Sequence, residues 1–256
     1  MLERQHPSPG LLTGAALDAL KLLAMVLMVL DHINQACLGE SQPWMYYLGR
    51  GAFPLFAFVM ACHLYRQTPS AGYLKRLVVF ALISQPVFVL ALDEIGLNVL
   101  FTLALAAVVA LWVVEQAPWR RHMLFGLTMC SFFFEDAIDF DLLGIVLPAA
   151  FLSAMRGQRF AMLWIWVFLI FLNLEVGDIA GLGKEGIVLN DFMLDPVLAV
   201  SSTIALTWLG YALSRRLSGD RFLPRYTFYW FYPGHLLLLA MWRLLQGNLS
   251  TELLAL

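Results

Sequence analysis

The sequence predicts an all-α polytopic membrane protein with about nine transmembrane helices, a cytoplasmic N-terminus and a C-terminus outside the membrane. Three observations lead to this prediction: the composition, the apolar segments, and the charges between those segments. Of the 256 residues, 61% are hydrophobic and only 13% are charged, and the mean hydropathy is +0.77. A soluble domain is about half apolar and about a quarter charged. We therefore expect residues 1–256 to form a single membrane domain, with 1–15 as a cytoplasmic tail.

Nine apolar segments meet or approach the length of about 20 residues that a membrane-spanning helix needs. Their predicted bounds are 16–37, 44–64, 73–92, 97–114, 122–135, 141–155, 160–174, 195–213 and 227–246. The first segment has no small-residue cleavage site after it, so we expect it to be retained as a span. The fifth, sixth and seventh are short, and could be tilted or re-entrant.

The charges between these segments alternate from basic to acidic, and basic residues collect on the cytoplasmic side of a membrane. The acidic connections include the longest one, Val176–Asp195, which is a candidate lid or partner surface. Twelve of the 16 basic residues fall on the predicted cytoplasmic side: Arg4, Arg66, Lys75, Arg76, Arg120, Arg121, Arg156, Arg159, Arg215, Arg216, Arg221 and Arg225.

Composition and motifs exclude several functional classes. A formal net charge of −2 leaves no basic excess for a nucleic-acid surface. The three cysteines, Cys37, Cys62 and Cys130, are odd in number and have no CxxC spacing, which argues against both a disulfide framework and a zinc site. We expect no metal and no nucleic-acid partner.

The first span carries ionisable residues that are costly in hydrocarbon, and such residues often mark a functional site. Lys21 and His32 are 11 residues apart, which places them on one helix face with a rise of about 16 Å between them. Asp31 points about 100° away from His32. The alternative interpretation is that Lys21 extends to the headgroups and that Asp31 and His32 only cap the helix.

Further polar residues interrupt other spans. Arg50 lies between two glycines and shortly before Pro54, where a cation beside loosened backbone would suit an anion, although it could also be an interfacial arginine. Ser84-Gln85-Pro86 is expected to interrupt the third span, and Tyr232-Pro233-Gly234-His235 to break the ninth. Asn98 and Thr102 open the fourth span and either line a cavity or satisfy a proline kink. His63, beside Arg66, is typical of an interfacial histidine.

Six short motifs are spread over residues 21–236: Lys21-x-x-Ala24-Met25-x-x-Met28-x-x-Asp31-His32, Gly49-Arg50-x-x-Phe53-Pro54-x-Phe56, Arg76-Leu77, Ala81-x-Ile83-Ser84-Gln85-Pro86, Asn98-Val99-Leu100-Phe101-Thr102-Leu103 and Tyr232-Pro233-x-His235-Leu236. Taken together, these motifs resemble the TraX family of bacterial inner-membrane proteins. The resemblance implies a multi-pass location in the inner membrane, a role in conjugation, and the activity of the named member, which acetylates the N-terminus of F-type pilin. It also implies acetyl-CoA as the donor co-substrate and a pilin, or another membrane-proximal acceptor, as the partner.

The first span is also distantly similar to the Arg-x10-His helix of membrane acyltransferases of the acyltransferase-3 type. Lys21 replaces the arginine, so the charge is kept and the bidentate fork is lost.

The implied reaction assigns a role to each candidate residue. An amine terminus has a pKa of about 7.7 and must lose its proton to attack a thioester, so His32 is the expected general base. Asp31 would bind the ammonium group or a partner, and Arg50, or backbone loosened at Pro54, would stabilise the oxyanion. His235 would be a second base or would hold the acyl group. Lys21, Arg66, Lys75 and Arg76 would bind the CoA phosphates, with Asn98 and Tyr232 added to that site, although any membrane protein carries such basic residues on this side.

Two other functions remain open from the sequence. Lys21, Asp31, His32, Arg50 and His235 could form the relay of a proton-coupled transporter, which would move a solute without covalent change. A chaperone that only holds pilin would need none of these titratable groups.

Overall fold

The computed structural model describes residues 12–66, 71–114, 141–172 and 191–247, together with 118, 119, 122 and 126. Nine helices and no β-strand occur within those ranges. In chain order they are α1 (Gly14–Leu38), α2 (Pro43–Gly49), α3 (Ala52–Arg66), α4 (Ala71–Leu92), α5 (Val99–Val114), α6 (Asp141–Met155), α7 (Ala161–Phe171), α8 (Asp191–Ser214) and α9 (Thr227–Gln246).

Eight of the nine predicted spans coincide with these helices, with α2 and α3 together forming the second. The fifth predicted span, 122–135, lies outside the described residues except at isolated positions, as do residues 1–11 and most of Val176–Asp195. Within the described ranges, three stretches are both long enough and apolar enough to cross a membrane: Pro43–Arg66, Gly72–Leu92 and Val197–Ser214. The all-helical class is confirmed, whereas the count of about nine spans and the orientation of the termini stay predictions.

The centre of the bundle is built from α1 and α3. Helix α1 packs against α2, α3, α8 and α9, while α3 also packs against α6, and α4 packs between α5 and α9. Nearly every side chain of α3 is buried, because its sequence is apolar on all sides. Large apolar side chains of α7, α8 and α9, such as Trp164, Trp208 and Leu238, are exposed. Such an exposed apolar surface suits contact with lipid chains.

The expected breaks at prolines are only partly observed. The helix does break at Arg50 and Gly51, which separate α2 from α3, but Pro54 itself lies in the first turn of α3. By contrast, α4 continues through Pro86 and α9 continues through Pro233, so the predictions of interruption there are wrong. Proline removes one backbone donor, whereas ending the helix in apolar surroundings would leave several polar groups without partners.

The helix ends gather into two groups. The starts of α1, α4 and α9 meet the end of α3, and we call this the inner end, because the predicted cytoplasmic charges lie there. The ends of α1 and α4 meet the starts of α3 and α5 at the opposite, outer end. An ion pair of 2.9 Å between Arg243 Nη2 and Asp93 Oδ2 joins α9 to the end of α4.

Candidate functional site

Two cavities open along the same face of α1. The inner cavity, of about 210 Å³, is lined by Lys21 and Met25 of α1 and by parts of α3, α4, α9 and the segment before α9. The outer cavity, of about 250 Å³, is lined by Met28, Asp31 and His32 of α1 and by parts of α2, α3, α4 and α5. Lys21 and His32 therefore do share a face, as the spacing predicts, but each lies in a separate cavity.

The inner cavity is strongly cationic. Lys21, Arg76, Arg221 and Arg225 line it, and no Asp or Glu is among its described lining residues. Arg76 lies beside the hydroxyl of Tyr229, which also lines the cavity. A concave surface with several cations and hydrogen-bond donors suits a ligand that carries multiple phosphates.

The wall of this cavity is held in place by Asp18, which is completely buried. Its Oδ2 accepts hydrogen bonds from the backbone N–H groups of Phe222 and Leu223, at 3.0 and 2.9 Å. Its Oδ1 lies 3.0 Å from Lys21 Nζ and 3.6 Å from Arg221 Nε. One carboxylate thus fixes the segment before α9 against α1 and positions two of the cavity's cations.

The outer cavity, in contrast, is mainly acidic. Among its described lining residues are three carboxylates, from Asp31, Glu40 and Glu94, and one arginine, Arg50. His32 lines the same cavity and is half-buried. Carboxylates around a histidine suit a cationic substrate that is to lose a proton.

His32 and His235 form a hydrogen-bonded pair, although 203 residues separate them in the chain. His32 Nδ1 lies 2.9 Å from His235 Nε2, and the two ring planes are within 12° of each other. His235 Nδ1 lies 3.0 Å from the carbonyl oxygen of Phe231, which can only accept, so this nitrogen carries the proton. In the neutral pair, His235 Nε2 then accepts from His32 Nδ1–H. This hydrogen-bond chain leaves the lone pair of His32 on Nε2. Nε2 is therefore the nitrogen at which His32 can accept a proton.

Close packing at the break between α2 and α3 positions Asp31 and Arg50. A Cβ atom on Gly49 would lie 2.6 Å from Asp31 Cγ, so only glycine lets the carboxylate approach the α2 backbone this closely. The Arg50 guanidinium lies 4.5 Å from the centre of the Tyr46 ring, a cation–π contact that fixes its direction. Both side chains line the outer cavity.

Several predicted substrate-binding residues lie elsewhere. Asn98 is completely buried and outside both cavities: its Nδ2 donates to Ala81 O and Gln85 Oε1, at 2.9 and 2.8 Å, and its Oδ1 accepts from Leu100 N. These contacts give Asn98 a structural role at the start of α5. Tyr232 is 1% exposed and packs edge-on against His235, with ring centres 5.5 Å apart. Arg66 and Lys75 are exposed and do not line the inner cavity.

Sequence reasoning missed other residues of the site. Arg221 and Arg225 had been counted only as charges of a cytoplasmic connection, and Tyr229 carried no signal. The ion pair of Asp18 could have been predicted from the sequence, because Asp18 lies three residues before Lys21 on a predicted helix. His63 also lines the inner cavity, where the sequence suggested only an interfacial histidine.

Comparison with known proteins adds a second line of argument. A family model described as TraX protein matches residues 16–243. The chain is 31% identical to a protein named Protein TraX from Escherichia coli over 200 residues, covering 75% of this chain and 79% of the relative. A Protein TraX from Escherichia coli strain K12 is 32% identical over 231 residues, 88% of this chain and 86% of the relative.

A third relative, the Probable fimbrial assembly protein FimC, serogroup H1, of Dichelobacter nodosus, is 28% identical over 245 residues, 86% of this chain and 93% of the relative. No solved structure matches the chain.

Proposed function

The chain belongs to the TraX family, and from this premise we propose that it is an inner-membrane acetyltransferase that transfers an acetyl group from acetyl-CoA to the N-terminal amine of a pilin subunit. The name of the Dichelobacter nodosus relative, a probable fimbrial assembly protein, supports pilus assembly as the setting.

The observation that carries the proposal is the opposite charge of two adjoining cavities. CoA has several phosphate groups, and the inner cavity offers four cations against the one carboxylate, Asp18, that pairs with two of them. A pilin N-terminus is an ammonium ion, and the outer cavity offers three carboxylates. The same carboxylates favour an amine over the neutral hydroxyl of a sugar as the acceptor.

The proposed reaction takes place beside His32. The ammonium group binds among Asp31, Glu40 and Glu94 and loses one proton to solvent there, which leaves the neutral amine. The amine nitrogen then attacks the thioester carbonyl, and His32 Nε2 removes a second proton from that nitrogen. Arg50 stabilises the oxyanion of the tetrahedral intermediate. The carbon–sulfur bond then breaks, and the CoA thiolate takes the proton from His32, giving an amide and free CoA.

We propose direct transfer without an acyl-enzyme. Both ring nitrogens of His235 are engaged, one with Phe231 O and the other with His32. His235 therefore acts as a positioning residue that fixes the ring and tautomer of His32. The sequence had left open whether His235 holds the acyl group.

Mass spectrometry tests this function directly. Membranes with the protein and a pilin substrate are incubated with isotopically labelled acetyl-CoA, and wild type is compared with His32→Ala. The matched control is His122→Ala, because His122 is exposed, lines neither cavity, and its Nδ1 lies near the carbonyl oxygen of its chain neighbour Pro118. We expect label on the pilin N-terminus with wild type and with the control, and its loss with His32→Ala.

A correctly inserted His32→Ala protein that acetylates at the wild-type rate would refute the assignment of the base. No labelled product from the wild type, together with no CoA binding at millimolar concentration, would refute the acetyltransferase and favour the transporter.

A further inference from the structure

Phe56 lies where the two cavities meet. Of the described residues that line the inner and outer cavities, it is the one that lines both. Along α3, Phe53 lines the outer cavity and Val59 lines the inner one, one turn to either side of Phe56. On the facing side of α1, the boundary falls between Met28 and Met25 in the same way.

The Phe56 ring is buried and packs against α9. It is only 6% exposed, and its centre lies 4.6 Å from that of Phe228 at the start of α9. The described neighbours on α1 and α3, Met25, Met28, Phe53 and Val59, are apolar, so on these two helices the partition offers water no hydrogen-bonding side chain. A narrow apolar partition of this kind excludes water and ions.

We propose that Phe56 is a hydrophobic gate that seals the inner cavity from the outer one while no acceptor is bound, so that water from the outer side does not reach a thioester held in the inner cavity. The ring moves aside when the acyl group passes to the acceptor amine beside His32, which makes the amine the nucleophile. The choice of nucleophile rests on the proposed function, whereas the seal itself does not. With water admitted, the thioester carbonyl would be attacked by water, and acetate and free CoA would form instead of an amide.

A further consequence concerns the membrane. Two polar cavities at opposite ends of one bundle would conduct protons if water joined them. The ring therefore also keeps the protein from leaking protons between its two ends.

Labelling of a cysteine from each side tests the seal independently of catalysis. Cys37, Cys62 and Cys130 are replaced, and Met25→Cys places one thiol in the inner cavity next to the partition. A charged, membrane-impermeant thiosulfonate is then added to one side of sealed vesicles at a time. We expect labelling from the inner side in every variant, and labelling from the outer side to rise at least tenfold in Phe56→Ala.

The matched control is Phe58→Ala on the same helix. Phe58 packs against Phe151 and Tyr211, at 5.4 and 5.5 Å between ring centres, and lines neither cavity. Phe56→Leu keeps apolar bulk and should stay sealed. If Phe56→Ala does not fold, Phe228→Ala removes the ring that supports Phe56 and should raise outer labelling instead. If labelling from the outer side stays at the wild-type level in both Phe56→Ala and Phe228→Ala, the proposal that Phe56 is a gate is refuted.

Release of CoA without an acceptor tests the choice of nucleophile. With acetyl-CoA alone, Phe56→Ala should release CoA at least tenfold faster than wild type and Phe58→Ala. If Phe56→Ala raises outer labelling but does not speed the release of CoA, the role of Phe56 in the choice of nucleophile is refuted, whereas the seal is supported. Absence of acetyl transfer by wild type would refute the proposed function, and the labelling result would still decide the seal.

Discussion

Replacing His235 should slow acetyl transfer only through its effect on His32. His235→Leu removes the nitrogen that accepts from His32 Nδ1 at 2.9 Å, so the His32 ring is free to rotate and to change tautomer. His235→Gln places an amide oxygen near the position of Nε2 and keeps an acceptor there. These two variants separate the loss of the hydrogen bond from the loss of the imidazole.

The magnitude follows from the contacts. Leaving one donor of a partly buried pair without its partner costs up to about 1–3 kcal/mol, which corresponds to up to about a 5- to 150-fold loss of kcat/KM for His235→Leu. His235→Gln should stay within about fivefold of wild type because the acceptor is kept. His32→Ala removes the base itself and should cost about 10²- to 10⁴-fold. Because His235 acts through His32, the double variant should be no slower than His32→Ala alone.

The assay is the steady-state transfer of labelled acetyl from acetyl-CoA to a pilin peptide, with purified protein in lipid nanodiscs. Thermal unfolding of each variant controls for misfolding. If the losses of His32→Ala and His235→Leu multiply in the double variant, His235 has a chemical role of its own and the positioning argument is refuted. A His235→Leu protein within twofold of wild type would refute it as well.

Three further predictions concern the cavities. Asp18→Asn should lower the free energy of unfolding by about 3 kcal/mol, because it removes the charge that pairs with Lys21 and turns two charge-assisted backbone hydrogen bonds into neutral ones; a loss under about 1 kcal/mol in denaturant unfolding would contradict this. Arg76→Gln should weaken CoA binding about tenfold by calorimetry, as expected for loss of a charge-assisted contact, whereas Lys75→Gln, outside the cavity, should leave it unchanged; equal effects would argue against the inner cavity as the CoA site. Gly49→Ala should cost about 1–3 kcal/mol of stability through its clash with α1, measured against Gly234→Ala, whose added Cβ meets nothing within 4 Å; equal stabilities would show that the contact relaxes freely.

The positions of most helices could be predicted because the cause is local. A run of about 20 apolar residues has few alternatives to a helix in a membrane, where backbone groups must bond within the chain. The same holds for the shared face of Lys21 and His32, which follows from 3.6 residues per turn. Predictions based on a single proline were less successful. The sequence predicts interruptions of the third span at Pro86 and of the ninth at Pro233, but both prolines lie within continuous helices.

The partners of the polar residues could not be predicted, because they depend on which helices pack together. His32 meets His235 across 203 positions, and Asp18 binds the backbone of Leu223 across 205. Asn98 could have been a ligand or an anchor, and only its contacts with α4 show that it is an anchor.

The sequence by itself thus determined the membrane class, most of the helices that the structure describes and the shared α1 face of Lys21 and His32, since these follow from composition and helical period. Only the tertiary structure decided that this face opens into two cavities of opposite charge with Phe56 between them. The physical reason is that a cavity belongs to no single segment: its charge and its boundary are set by side chains that distant helices bring together.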